Sequence, residues 1–169
     1  MQKTIRLQSL PFGSVATYLA AMLFIIGNLA LPQLFHRIPQ GGVTWLPIYF
    51  FTLVGAYSCG WRVGVLAAVL SPLANALLFG MPAVEALPAI VTKSLLLALL
   101  ASYAAWRFRR APLWLFVAVV LGYQFTGTFA EWLMKGDFHL ACQDFRIGIP
   151  GMILQIAGGW LVVNAIMRR

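Results

Sequence analysis

The stretch LWLFVAVVLGYQFTGTFAEWLM, from Leu113 to Met134, decides the fold class. As a helix rising ~1.5 Å per residue it reaches across a hydrocarbon core of roughly 30 Å. It also carries Gln124 and Glu131, polar groups that hydrocarbon does not solvate, so one of its faces must look onto protein or water. Five further stretches of the same kind surround it: Ser14 to Phe35, Val43 to Cys59, Val63 to Phe79, Leu87 to Trp106 and Ile147 to Ile166. Only short turns separate them. The expected fold is an all-α membrane protein, one compact bundle of six transmembrane helices spanning residues 1–169, with no second domain, linker or internal repeat.

Composition points the same way. The chain is 62% hydrophobic and 9% charged, against roughly 25% charged residues in soluble domains. So few charges cannot cover a surface in water. The net charge of +8 does not indicate nucleic acid, because phosphate binding needs Lys and Arg clustered on a solvated face. Here they stand at the ends of apolar segments.

That placement orients the chain. With the amino terminus in the cytoplasm, Lys3, Arg6, Arg62, Arg107, Arg109, Arg110, Arg168 and Arg169 fall inside and Arg37, Lys135 and Arg146 outside, while Lys93 lies within a segment. This excess places both termini inside. The count depends on a genuine reversal at Gly60, Trp61 and Arg62. The first apolar run has the length of a span rather than of a cleavable signal peptide. No G-x-x-x-x-G-K-[ST] loop is present, and the longest cytoplasmic connection, Arg107 to Pro112, is too short for a nucleotide domain. Active transport would draw on a partner or an ion gradient.

Polar residues at depth carry the functional signal. From the rise per residue, Glu131 lies roughly 4 Å below the outer end of its segment, Asn75 about 6 Å, Lys93 about 9 Å, Asn28 about 10 Å, Gln155 about 12 Å and Gln124 about 15 Å. They fit an outward-facing cavity lined also by Trp45, Tyr49 and Tyr123. They fit interhelical hydrogen bonds as well, worth about 0.6 to 2 kcal/mol each. Lys93 needs a counter-ion, and Glu131 is either that partner or a ligand contact. With Arg146 at the mouth of the last helix, Lys93 suggests a substrate bearing an anionic group, oriented by Gln155, Gln124 and Asn75.

Other chemistry is weaker. His139, Cys142 and Asp144 in FHLACQDFR share a face in no single regular element, and a metal site wants three or four convergent ligands. No metal or cofactor is assigned. Cys59 and Cys142 fall on opposite membrane faces, out of reach of a disulfide. Glu131 without a second catalytic group makes no enzyme. Ala16 and Ala20, an A-x-x-x-A face continued by Gly13, allow close helix crossing within the chain or with another protein.

Together these features resemble the substrate-binding S component of energy-coupling factor (ECF) transporters. The resemblance spans the chain: its length, six spans, the alanines at 16 and 20, the segment LSPLANALLFGMP from Leu70 to Pro82 with its Gly-Met-Pro turn, and QDFRIGIPG from Gln143 to Gly151. It implies capture of a water-soluble vitamin or cofactor precursor between the outer ends of helices four to six. It further implies docking through Ala16 and Ala20 on a transmembrane T subunit coupled to two cytoplasmic ATPases, in a bacterial cytoplasmic membrane. Nickel and cobalt members carry a histidine at the second residue; Gln2 here argues against a metal-ion substrate. An alternative is a scaffold resembling MreD, which binds no transported ligand.

Reporter fusions after Arg110 and after Asp137 are expected to report opposite compartments, the first cytoplasmic. Matching compartments would exclude the six-span topology.

Overall fold

The computed structural model describes residues 10–167, which contain helices and no β-strand. Lys3, Arg6, Arg168, Arg169 and Gln2, read above for orientation and metal binding, lie outside the described residues. In chain order the helices are α1 (Val15–Phe35), α2 (Gly41–Trp45), α3 (Phe50–Cys59), α4 (Trp61–Phe79), α5 (Leu87–Phe108), α6 (Leu113–Lys135), α7 (Phe138–Ala141), α8 (Gln143–Ile147) and α9 (Ile149–Met167). Five of them, α1, α4, α5 with the turn before it, α6 and α9, are long and apolar enough to cross a membrane. Their outward faces are apolar too: Leu77 is 85% exposed and Leu133 68%. Such a surface suits lipid rather than water, and the chain has the make-up of a multi-pass membrane protein.

The second apolar stretch, Val43 to Cys59, does not form one helix. It breaks at Leu46, whose φ of 47° and ψ of 44° are left-handed, and a 3₁₀ turn over Pro47–Tyr49 leads into α3. Pro47 is the cause: it has no N–H for the helical ladder, and its ring disfavours the α conformation at the residue before it. What remains, Pro47–Cys59, is shorter than the ~17 residues a straight crossing needs. The last span is also displaced, with Ile147 belonging to α8 and α9 starting at Ile149.

This shortened helix is the axle of the fold. Leu53, Val54, Ala56 and Tyr57 of α3 are fully buried, as expected for a helix apolar all round. The long helices α1, α4, α5, α6 and α9 are neighbours in that order and wrap around it, and α2 bridges α1 and α9 at one end. Tyr57 stacks on Phe116 of α6 with ring centroids 4.8 Å apart. Its hydroxyl donates to the carbonyl of Arg110, closing the opposite end of the bundle.

Gly60 makes the reversal between α3 and α4. Its φ of 92° with ψ of 175° is a conformation that residues with a Cβ avoid. The two helices then pack closely: a Cβ built at Gly64 would lie 2.5 Å from the Cβ and 3.0 Å from the Cα of Ala56. Residues 43–59 and 63–79 are therefore separate elements.

Gly64→Leu is expected to lower stability by about 1–3 kcal/mol through overpacking of this seam. Gly42→Ala, where an added Cβ meets nothing within 4 Å, is the neutral control. Thermal unfolding in detergent measures both.

Candidate functional site

The polar residues gather at the end of the bundle where α1 finishes and α5 begins. Lys93 lies in the second turn of α5 and is 2% exposed. Its stem passes α6 at Gly127, where a Cβ would stand 2.6 Å from Lys93 Cγ. A glycine there makes room for the lysine. On the next turn of α6, Glu131 places Oε2 2.5 Å from Lys93 Nζ and Oε1 2.6 Å from Lys135 Nζ.

The connection between α6 and α9 supplies the remaining charge. Asp137 opens it by capping α7, accepting from the backbone N–H of His139 at 2.8 Å and of Leu140 at 3.1 Å. The chain then folds back through α8, and Asp144 sets Oδ2 2.8 Å from Lys93 Nζ. Lys93 is thus held by two carboxylates from elements distant in sequence, the geometry a buried ammonium requires.

These groups border a cavity of about 400 Å³, within the roughly 300–1,000 Å³ range of small-molecule sites. Its wall is formed by Pro32, Gln33 and His36 at the end of α1, the broken segment from Leu46 to Tyr49, and Met81 to Ala83 before α5. Gly42 and Val43 of α2, Ala86, Ala89, Ile90, Lys93, Glu131, Lys135, Gln143 and Asp144 complete it together with Asn75. Irregular backbone at this depth is tolerated where it lines a cavity or is buried in protein, which accounts for the break at Leu46. Close beneath it, Gly151 of α9 packs on the backbone of Trp45, where a Cβ would come within 2.5 Å of the carbonyl oxygen.

Asn75 has a defined role. Its Nδ2 donates to the carbonyls of Asn28 at 2.9 Å and Ser71 at 3.2 Å, so turning the amide over would oppose oxygen to oxygen. Its Oδ1 is buried and has no hydrogen-bond partner among the described residues.

Of the residues read in the sequence as lining a cavity or docking a partner, Lys93, Glu131, Asn75 and Tyr49 line this cavity. The others lie elsewhere. Trp45 stacks on Phe35 at 5.3 Å. Asn28 joins α1 to α3 and α4, donating to Thr52 Oγ1 at 2.9 Å and Ser71 Oγ at 3.2 Å and accepting from the N–H of Phe51 at 3.0 Å. Gln155 accepts from the Tyr123 hydroxyl at 2.8 Å, and Tyr123 meets Tyr49 at 5.6 Å between centroids. Gln124 is fully buried, with neither side-chain polar atom partnered among the described residues. Arg146 is exposed and donates to His139 Nδ1 at 2.7 Å. Ala16 is exposed and Ala20 half-buried, both on the half of α1 away from the cavity.

From the sequence, Asp144 is weighed only as a metal ligand and Lys135 only as an outer charge, and neither is joined to the site. A signal existed: all four acidic residues, Glu85, Glu131, Asp137 and Asp144, fall at this end of the bundle. Among the described residues the opposite end carries Arg62, Arg107, Arg109 and Arg110 and no acid. No group of three or more His, Cys, Asp or Glu is placed to hold a metal among the described residues. No family model, curated protein or solved structure matches the chain.

Lys93→Met strands Asp144 and leaves Glu131 with Lys135 alone. It is expected to lower stability by about 3–5 kcal/mol, as for removing one partner of a buried pair. Adding Asp144→Asn and Glu131→Gln should restore most of the loss in thermal unfolding. A single substitution without effect would show that the network contributes nothing to the fold.

Proposed function

We propose that this chain is the substrate-binding S component of an ECF-type importer, capturing a small water-soluble vitamin or cofactor precursor for ATP-driven uptake by partner subunits. The observation that carries the reading is the cavity of about 400 Å³ bordered by matched charges and by Asn75, whose amide oxygen is unpartnered, inside a bundle whose outer face is apolar. A chain needing only to pack would fill such a space with side chains.

In this reading α2, the turn at Pro47 and α3 together make a sixth crossing, and the even number returns both termini to one side. The arginines opposite the cavity make that side cytoplasmic, so the cavity opens outward. The protein sits in a bacterial cytoplasmic membrane. Ala16 and Ala20 lie near the cytoplasmic face, where small side chains let a helix of the T subunit approach closely. The chain carries no phosphate-binding loop, and the two cytoplasmic ATPases supply the energy through the T subunit.

The MreD-like scaffold is favoured by one observation: the four charged groups match each other without a ligand. It leaves the buried acceptor of Asn75 without a use.

Two variants separate these readings. Mass spectrometry of gently purified protein should find a retained small molecule, lost on filling the cavity with Ala86→Trp while the T subunit still co-purifies. Ala16→Leu with Ala20→Leu should do the reverse. A wild-type protein that retains nothing, and whose deletion alters cell shape, would favour the scaffold.

A further inference from the structure

The charges of the cavity sum to zero before any ligand enters. Lys93 and Lys135 carry two positive charges and Glu131 and Asp144 two negative ones, linked in a row: Asp144 to Lys93 at 2.8 Å, Lys93 to Glu131 at 2.5 Å and Glu131 to Lys135 at 2.6 Å. Lys93 is the buried centre of that row, at 2% exposure. A lone carboxylate entering to bind it would displace one of its partners and leave that partner's charge unpaired in surroundings of low polarity. The anionic group expected from Lys93 with Arg146 therefore gains nothing from Lys93, because the protein already holds both of its counter-ions.

A second observation bears on the ligand independently. Asn75 is 1% exposed and lines the cavity. Both donors of its amide are committed to the carbonyls of Asn28 and Ser71, so the side chain cannot turn to offer N–H. Its Oδ1 is buried without a hydrogen-bond partner among the described residues, in a residue that lines the cavity, and buried acceptors are costly to leave unmatched.

We infer that the cavity takes a small molecule of zero net charge, neutral or zwitterionic, that presents an N–H or O–H donor to Asn75 Oδ1. This rests on the reading of the chain as a small-molecule-binding subunit and narrows its substrate class. Ligands bearing only acceptors at that position are rejected, since two oxygens would be opposed. The row of ion pairs serves as a pre-matched wall against which a polar but uncharged group can lie without disturbing any pairing.

The test uses full-length protein in detergent and three probes of one shape: nicotinamide, nicotinate and N,N-dimethylnicotinamide, read by thermal shift over a concentration series. Nicotinamide, neutral with N–H donors, is expected to bind at least roughly tenfold more tightly than the other two. Glu131→Gln leaves the cavity with one net positive charge and should invert the order in favour of nicotinate. Asp144→Asn makes the same change from a different element, in case the first variant does not fold. Asn75→Leu should erase the difference between nicotinamide and its dimethyl form. The compound retained by wild-type protein gives an independent readout: once identified by mass spectrometry, its structure should carry no net charge at neutral pH. A wild-type preference for nicotinate, a retained anion, or an order unchanged in both charge variants overturns this inference alone. No shift with any probe in any variant, together with no retained compound, overturns the small-molecule reading beneath it.

Discussion

An ammonium group inside a lipid-facing bundle must bring its own counter-ions, and Lys93 imposes that requirement on everything at its end of the molecule. It recruits Glu131 from α6 and Asp144 from α8, so one side chain fixes how three elements meet. The glycine at 127 follows from the same demand, because α6 must pass close to the stem of the lysine. So does the course of the chain after α6. Asp137 caps the short α7 and turns the backbone so that α8 can present Asp144 inward. A loop that would otherwise lie over the bundle end becomes part of the cavity wall.

The second constraint is geometric. A helix broken at Leu46 and Pro47 cannot lie against lipid with its polar backbone unsatisfied, and the fold answers by surrounding α3 with the long helices. Asn28 joins this axle to its neighbours, exchanging hydrogen bonds with Thr52 and Phe51 on α3 and Ser71 on α4. The joint also sets Asn75, whose amide is anchored on the carbonyl of Asn28. The break that shortens α3 and the anchoring of Asn75, a residue of the cavity wall, are thus linked through a single asparagine.

Level along the bundle was legible in the sequence; direction around each helix was not. Rise per residue put Lys93, Glu131 and Asn75 near one level, and they do meet at one cavity. The same arithmetic put Gln124 and Gln155 only slightly deeper, yet both point into packed interior near Tyr123. Arg146 shows the difference most plainly. It lies two residues from Asp144, and on a helix that separation is about 200° of rotation, so one residue reaches Lys93 while the other reaches His139. Hydropathy found the five long helices, but averaging over Val43–Cys59 concealed the proline that divides it. Asp144 was weighed only as a metal ligand because apolar patterning describes spans, whereas the partner of the buried charge came from the short α8, 51 residues away.

The matched row of Asp144, Lys93, Glu131 and Lys135 has an electrical consequence. A charge displaced through a membrane potential involves work of about 2.3 kcal/mol per 100 mV, whereas a set of groups summing to zero and moving together involves almost none. The cavity end could therefore shift its depth in the bilayer at negligible electrical cost, with or without an uncharged occupant. The arginine-bearing end at Arg62, Arg107, Arg109 and Arg110 has no such freedom. A field across the bilayer would act on the arginine end of this molecule and leave the matched end nearly indifferent.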